Sequence, residues 1–317
     1  MVKGRINFYT SIKIKLVINS WSSRFTKLVR LFYRRKKIKL GESEGYFFII
    51  GSGRCGSTLL RVMLERHSRI TIVPEISMAL PKSCDFYINQ KSLSSKAYFN
   101  KFFDMYSSQH AWNTDIFQEE EIRLKYESEE EPAFPAFLKT IYAQYKAKMK
   151  PNADLIGDKN PYLTFHLPYL HYVFPRAKFI HLIRDGRDVS SSWANTKELK
   201  MNLIDAAKRW NWALKEVERF GFLLRGRILE LRYEDLVSNP KDTLSKVCQF
   251  LGVQFETELL NESVNNSSDE VAQGHHESSV KKVGTHSIGN WKRNLTESQI
   301  LEIEPILIRR LKKYGYL

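Results

Sequence analysis

The stretch Gly51-Ser-Gly-Arg-Cys-Gly-Ser-Thr58 decides the fold that we predict for this chain of 317 residues. It follows an aromatic and β-branched run, residues 46–50, that is typical of a buried strand, and it precedes a helical pattern over residues 58–67. A glycine-rich turn between a strand and a helix directs backbone N–H groups and the positive end of the helix dipole towards an anion. The stretch therefore predicts an α/β fold with an anion site after its first strand.

The residues inside this loop narrow the choice of anion. Its spacing nearly matches the phosphate loop G-x-x-x-x-G-K-[ST], but Ser57 stands where the lysine is expected. The missing lysine argues against an ordinary nucleoside-triphosphate hydrolase. On the glycines alone, a turn that binds nothing is a serious alternative. Arg54 adds a cation, and Ser57 and Thr58 add two hydroxyls, which favours a bound anion.

Further along the chain, apolar runs at residues 178–183 and 227–231 have the same strand character and alternate with helical patterns. This order indicates a central, mainly parallel sheet flanked by crossover helices. We expect residues 41–317 to form one domain, with a helical insertion at about 76–150. The polar stretch 261–285 is predicted to be a mobile loop or lid.

The formal net charge of +15 is concentrated at the N-terminus. Residues 1–40 hold 12 of the 50 Lys and Arg residues and no acid, so residues 41–317 hold 38 bases against 35 acids. The folded body is nearly neutral, and nucleic-acid binding is not expected. The arm 1–40 has apolar residues at helical spacing and bases on another face. This pattern fits either a helix on an anionic membrane surface or a helix docked on its own domain.

The arm contains no run of about 18 uncharged apolar residues, so no transmembrane anchor is predicted there. The three cysteines, Cys55, Cys84 and Cys248, are far apart and form no CxxC or zinc-ligand pattern. A reducing cytoplasm fits them best. The predicted location is therefore cytoplasmic, with peripheral membrane contact through the arm as one of the two alternatives.

A second motif follows the run at 178–183. The segment Arg184-Asp-Gly-Arg-Asp-Val-Ser-Ser-Ser192 places an arginine at a strand end and a serine eight residues later. A guanidinium fork and a hydroxyl on the next helix suit a phosphate group. Asp185 also resembles the magnesium-binding aspartate that follows an apolar strand in P-loop kinases. The match is incomplete because Arg184 lies between the strand and Asp185.

Two later segments, Leu231-Arg-Tyr-Glu-Asp-Leu236 and Ser287-Ile-Gly-Asn-Trp-Lys292, complete a set whose order resembles that of the sulfotransferases that use 3′-phosphoadenosine 5′-phosphosulfate. The resemblance spans residues 46 to about 296 and implies their P-loop-like fold. Cys55 replaces the family's usual serine, so only its backbone N–H is carried over. The residues that the resemblance implies for donor binding are Arg54, Cys55, Gly56, Ser57, Thr58, Leu59, Arg184, Ser192, Tyr233, Ser287, Gly289, Trp291 and Lys292. Without the resemblance, Tyr233 and Trp291 would equally suit plain core positions.

The resemblance also implies catalytic roles. Lys159, in the turn-like segment Gly157-Asp-Lys-Asn-Pro161, and Arg54 would stabilise charge on the transferring group. Glu75 lies 21 residues after Arg54 and matches the catalytic glutamate of the tyrosylprotein branch, so it is the candidate base. Other branches use histidine, which leaves His166 and His171 as rivals.

The sequence thus predicts an enzyme that moves a sulfuryl group from 3′-phosphoadenosine 5′-phosphosulfate, without a metal ion, to a hydroxyl of a carbohydrate, lipid or small molecule, with tyrosine as a further candidate. The alternatives are a P-loop kinase or related nucleotide enzyme and a non-catalytic nucleotide-binding protein of the same fold. The acceptor and the oligomeric state are not predicted.

Overall fold

The computed structural model describes residues 45–89, 94–109, 111–129, 134–196, 201–261 and 285–317. The basic arm and most of the polar stretch 261–285 lie outside these residues, so the predictions made for them are not tested. The described chain divides into two compact units. The sheet unit comprises described residues up to Arg184 and from Lys215 to Thr285, and the helical unit comprises 185–214 and 286–317. One domain over 41–317 stays a prediction.

The sheet unit is built on five parallel strands in the order β2-β3-β1-β4-β5. Their bounds are β1 Gly45–Gly51, β2 Ile70–Val73, β3 Leu155–Lys159, β4 Lys178–Ile183 and β5 Ile228–Arg232. Strands β1, β4 and β5 lie within about one residue of the predicted runs. The predicted α/β fold with a parallel sheet and flanking helices is confirmed.

Helices lie between these strands along the chain and also follow the last strand. In chain order they are α1 Ser57–Leu64, α2 Leu80–Asn89, α3 Ser95–Ser107, α4 Glu119–Glu127, α5 Phe134–Met149, α6 Leu167–Val173, α7 Gly186–Ala194, α8 Leu203–Phe220, α9 Tyr233–Ser238, α10 Pro240–Leu251, α11 Trp291–Asn294 and α12 Glu297–Lys313. Helices α2 to α5 occupy the predicted helical insertion. Within the described chain, no helix combines the length and apolar character needed to cross a membrane.

Both faces of strands β1 to β4 are buried, as expected for parallel strands covered by helices, whereas β5 is mostly half-buried. Phe47 and Ile49 belong to a core cluster that also contains Leu60 of α1 and Val247 of α10. On the other face the Phe48 ring lies against Phe179 and Phe174, with ring centroids 5.6 and 5.0 Å apart. The centre of β1 is thus fixed by packing on both sides, which sets the position of the loop that follows it.

The prediction of a turn-like segment at 157–161 is wrong for residues 157–159, which belong to strand β3. Its residues Leu155–Lys159 lie between β1 and β2, and Lys159 is the last residue of a buried strand. This strand was not predicted from the sequence because Asp158 interrupts its apolar run. Gly157 is required there, since a Cβ would lie 2.3 Å from Cζ of Phe47.

Candidate active site

The loop between β1 and α1 has the backbone of an anion-binding turn. Gly53, Arg54 and Gly56 have φ values of 77°, 57° and 91°, and α1 begins after Gly56 without a side-chain cap. Left-handed residues in succession curl backbone N–H groups towards one side, and the start of a helix adds further N–H donors. The sequence prediction of a phosphate-type loop therefore agrees with this backbone geometry.

The base of the loop is tied to the rest of the sheet unit. Gly51 donates its N–H to Oγ1 of Thr164 at 2.8 Å, and the Thr164 hydroxyl donates to the Gly51 carbonyl at 2.8 Å. The Cys55 side chain is fully buried in the core, and burial raises the pKa of its thiol. A buried thiol of this kind leaves the backbone N–H of Cys55 as the group suited to a ligand.

The remaining loop residues are mostly covered. Ser57 and Thr58 are each 5% exposed at the start of α1, Arg54 is half-buried, and Leu59 packs against the core cluster. The hydroxyls of Ser57 and Thr58 thus lie in the first turn of the helix, where an anion gains from the helix dipole. The packing of Leu59 leaves its backbone N–H as the group suited to donor binding.

Arg184 and Tyr233 close one side of this loop. They directly follow the paired residues Ile183 and Arg232 at the ends of β4 and β5. The guanidinium of Arg184 donates from Nη1 to the Arg54 carbonyl at 3.2 Å and lies 4.5 Å from the centre of the Tyr233 ring.

The ring of Tyr233 in turn covers Gly56. A Cβ at Gly56 would lie 2.3 Å from Cδ2 of Tyr233, so only glycine fits. The structure thus brings the first motif, Arg184 and Tyr233 together, and their roles in donor binding stay predictions.

Glu75 and Lys159 also meet. Val73, the last residue of β2, pairs with Asp158, while Lys159 pairs with Ile49 of β1. Lys159 Nζ donates to Oε1 of Glu75 in an ion pair. The lysine side chain is 1% exposed and the glutamate 30%, so the carboxylate is the more accessible partner.

All parallel strands end at the same edge of the sheet, so this pair lies at the edge that also carries the loop. A lone lysine before Asn-Pro would by itself suit a solvated surface position, but the side chain of Lys159 is buried. The catalytic roles of Lys159, as a group that stabilises charge, and of Glu75, as the base, stay predictions.

A buried polar cluster beside this pair was missed by sequence reasoning. Asp158, which is 1% exposed, accepts from the Tyr142 hydroxyl at 2.7 Å and from the Ser77 hydroxyl at 3.1 Å. The side-chain amide of Asn160 donates to Ser77 Oγ at 3.2 Å. Burial raises the pKa of Asp158 to about 7, although both hydroxyl donors act to lower it. The signal that was available is Asp-Lys-Asn directly before a proline.

The rival histidines are engaged elsewhere. The ring of His166 lies 4.6 Å from that of Tyr162, and burial lowers its pKa to about 4. Nδ1 of His171 lies 2.9 Å from Nη2 of Arg227, and burial together with that cation lowers its pKa. Of the three candidate bases, Glu75 is the one that forms an ion pair with Lys159.

In the helical unit, Asp185 has a structural role. Its carboxylate accepts from the backbone N–H of Arg187 at 2.8 Å and so caps α7. The Arg187 guanidinium donates to the same carboxylate through Nε at 3.0 Å and Nη2 at 2.6 Å. A carboxylate held in this way does not resemble the magnesium ligand of a kinase, so the best sequence feature of the kinase alternative is removed.

Asp188 holds the last motif in place. Its carboxylate accepts from the backbone N–H groups of Gly289 and Trp291, both at 2.8 Å, and the Arg187 guanidinium lies 4.1 Å from the centre of the Trp291 ring. Asp188 is 2% exposed, so these are shielded, charge-assisted hydrogen bonds. This role was not predicted, although Asp188 lies within the quoted motif.

The other predicted residues of this unit are accessible. Ser192 on α7 and Ser287 are half-buried, and Lys292 is exposed with its Nζ 5.7 Å from the Trp291 ring centre. Gly289 has a φ of 70°, a conformation that favours glycine. Across the described ranges of both units, His, Cys, Asp and Glu do not gather into a group of three or more suited to a metal ion.

Comparisons with known proteins agree with this geometry. A model of the sulfotransferase family matches residues 47–257, and the chain belongs to that family. It is 24% identical over 278 residues to a putative protein-tyrosine sulfotransferase of Caenorhabditis briggsae, covering 84% of this chain and 88% of that protein. Protein-tyrosine sulfotransferase 2 of Gallus gallus is 23% identical over 273 residues, covering 84% of this chain and 62% of the relative.

Solved structures share the fold. The sulfotransferase domain from the olefin synthase of Synechococcus PCC 7002 matches with a TM-score of 0.53 and 22% identity, covering 84% of this chain and 97% of that domain. The sulfotransferase domain from the curacin biosynthetic pathway matches with a TM-score of 0.50 and 23% identity, covering 83% and 97%. The predicted family, fold and enzyme class are confirmed: the protein is a sulfotransferase.

Proposed function

We propose that this enzyme transfers the sulfuryl group of 3′-phosphoadenosine 5′-phosphosulfate to a phenolic hydroxyl, that of tyrosine in a peptide. The contact between Glu75 and Lys159 at the sheet edge that carries the loop is the observation on which the proposal mainly rests. Relatives named as protein-tyrosine sulfotransferases support the choice of acceptor.

The residues of the sheet unit fit a sulfonucleotide. The curled backbone at Gly53 to Gly56 and the first turn of α1 offer N–H donors for a 5′-phosphosulfate, with the hydroxyls of Ser57 and Thr58 beside them. Arg184 offers a guanidinium for the 3′-phosphate. The donor supplies the sulfuryl group, and 3′,5′-bisphosphoadenosine is the product that remains.

In the helical unit, Asp188 holds the last of the motifs that the family resemblance implies for donor binding. This carboxylate fixes the backbone of Gly289 and Trp291, next to Ser287 and Lys292. Ser192 lies on the same helix, α7. We expect Lys292, which is exposed, and the hydroxyl of Ser192 to bind phosphate oxygens.

Glu75 and Lys159 account for the chemical step. As the acceptor oxygen forms its bond to sulfur, the hydroxyl proton passes to Glu75, and the bond from sulfur to the phosphate oxygen breaks. Lys159 and Arg54 stabilise the negative charge on the transferring group and on the departing oxygen. A phenol, with a pKa of about 10, gives up its proton more easily than an aliphatic alcohol does. This suits a carboxylate base that is already paired with a lysine.

A binding experiment tests the donor. Purified protein is heated with 3′,5′-bisphosphoadenosine without magnesium, and in parallel with ATP and magnesium. A ligand at one hundred times its Kd adds about 2.7 kcal/mol of stability, which is a clear rise in the unfolding midpoint. We expect this rise with the bisphosphate alone. A rise only with ATP and magnesium would favour the kinase alternative.

A transfer experiment tests the acceptor. Donor labelled with ³⁵S is incubated with a peptide that contains one tyrosine and with matched peptides in which phenylalanine or serine replaces it. We expect label on the tyrosine peptide alone. Label on the serine peptide, or on a carbohydrate or sterol but no peptide, would refute the phenolic acceptor and leave the donor proposal standing.

Cytoplasmic location and peripheral membrane contact through the arm are also proposed. The three buried cysteines are unbridged, which suits a reducing compartment. Cell fractionation with and without residues 1–40 tests both points. Recovery of the full-length protein inside secretory vesicles would contradict the first.

A further inference from the structure

A buried hydrogen-bonded link joins the two segments that carry Glu75 and Lys159. Ser77, two residues after Glu75, donates its hydroxyl to Asp158 at 3.1 Å and accepts from the Asn160 amide at 3.2 Å. Asp158 and Asn160 flank Lys159 in the chain. We propose that Ser77 is a positioning residue that holds Glu75 against Lys159 through this link, which extends the catalytic roles proposed above.

The strand ladder by itself does not reach Glu75. Pairing between β2 and β3 ends at Val73 and Asp158, so Glu75 lies two residues beyond the last pair. After Pro74 the chain turns, with the Ile76 N–H donating to the Pro74 carbonyl at 2.6 Å. The hydrogen bonds of Ser77 therefore tie this segment to β3 after the ladder has ended.

All three residues of the link are buried, so their hydrogen bonds fix how the two segments are oriented. Ser77, Asp158 and Asn160 are 0%, 1% and 2% exposed. Polar groups at such sites often add little net stability over apolar residues of the same shape, yet each demands a partner in a set direction. A link of this kind suits the positioning of the segments that it joins better than it suits general stability.

Tyr142 supplies a matched control. Its hydroxyl donates to the other oxygen of Asp158 at 2.7 Å, so Tyr142→Phe removes a buried hydrogen bond from the same carboxylate as Ser77→Ala does. Tyr142 lies on α5, which carries neither Glu75 nor Lys159. A general loss of stability would affect both variants alike, whereas a loss of positioning would affect only Ser77→Ala.

The experiment measures kcat and KM for labelled donor and the tyrosine peptide, with urea denaturation of each variant. We expect Ser77→Ala to lower kcat by at least about tenfold, because a displacement of about 1 Å at a reacting group can cost a hundredfold. KM for the donor should change by less than about twofold. For Tyr142→Phe we expect kcat within about twofold of the wild type, at a similar loss of stability. Equal losses of kcat in the two variants, or an unchanged kcat in Ser77→Ala, would overturn the proposal.

Crystal structures of the two variants separate this inference from the proposed acceptor. We expect the contact between Glu75 and Lys159 to be lost in Ser77→Ala and kept in Tyr142→Phe. If the wild type labels no peptide, the acceptor proposal fails, and the two structures still decide the positioning role. An intact contact in Ser77→Ala would refute that role whatever the activity.

Discussion

Replacing Gly56 with alanine tests the contact that links the loop to Tyr233. The residue has a φ of 91°, and its Cβ would lie 2.3 Å from Cδ2 and 2.6 Å from Cε2 of Tyr233. An L-residue in the left-handed region costs about 1–2 kcal/mol, and overpacking at a buried contact adds about 1–3 kcal/mol. Gly56→Ala should therefore lower the free energy of unfolding by about 2–5 kcal/mol.

Gly226 is the matched control. Its φ is 76°, and nothing lies within 4 Å of the Cβ that alanine would add. Gly226→Ala should therefore show the backbone term alone, about 1–2 kcal/mol. The difference between the two variants measures the steric conflict with Tyr233.

The same conflict should weaken nucleotide binding. The Tyr233 ring has to move away from Gly56, and it carries the Arg184 guanidinium 4.5 Å from its centre. We expect the affinity for 3′,5′-bisphosphoadenosine, measured by calorimetry, to fall at least about tenfold in Gly56→Ala and by less than about twofold in Gly226→Ala. In a Tyr233→Ala background, the extra stability cost of Gly56→Ala should shrink to that of the control. Equal stability and equal affinity in the two glycine variants would refute the reasoning.

Other variants address separate parts of the site. Glu75→Gln should abolish transfer while the affinity for 3′,5′-bisphosphoadenosine stays unchanged, and full activity would exclude it as the base. Arg184→Lys keeps the charge but loses the fork, so that affinity should fall by about 10- to 100-fold in calorimetry; an unchanged value would remove the 3′-phosphate role. Asp188→Asn can keep at most one of two hydrogen bonds, a loss of about 1–3 kcal/mol, and should speed hydrogen exchange at the Trp291 amide. For Asp158, burial raises the pKa to about 7, so the unfolded chain releases this proton near pH 4 while the folded chain keeps it. Stability to urea should thus fall between about pH 4 and 7 by up to about 1.4 kcal/mol per unit, and Asp158→Asn should remove that slope.

The sequence predicted the structure best where the same residues are needed both for the fold and for the candidate site. The apolar runs of β1 and β4 and the glycines after β1 could be predicted because packing and tight turns demand those residues. Strand β3 escaped because two of its five residues, Asp158 and Lys159, are charged. Their burial depends on partners distant in sequence, such as Tyr142 and Glu75, which periodicity does not reveal.

The same limit applies to carboxylates. Asp185 resembled a metal ligand in sequence, and its pairing with Arg187 became visible only in three dimensions. Asp188, three residues further on, gave no signal because its partners are backbone N–H groups about a hundred residues away. A sequence shows which groups are chemically able to act, and the fold decides which of them meet.

Because Cys55 is buried, the rate at which a thiol reagent labels it would report how often the surrounding structure opens. All three cysteines of the chain are buried and unbridged, so a thiol reagent can reach them only when the surrounding structure opens. Because Cys55 lies inside the loop, the logarithm of its labelling rate should fall in proportion to the stability that a bound nucleotide adds. The rate of modification at one sulfur would then report donor occupancy without any acceptor being known.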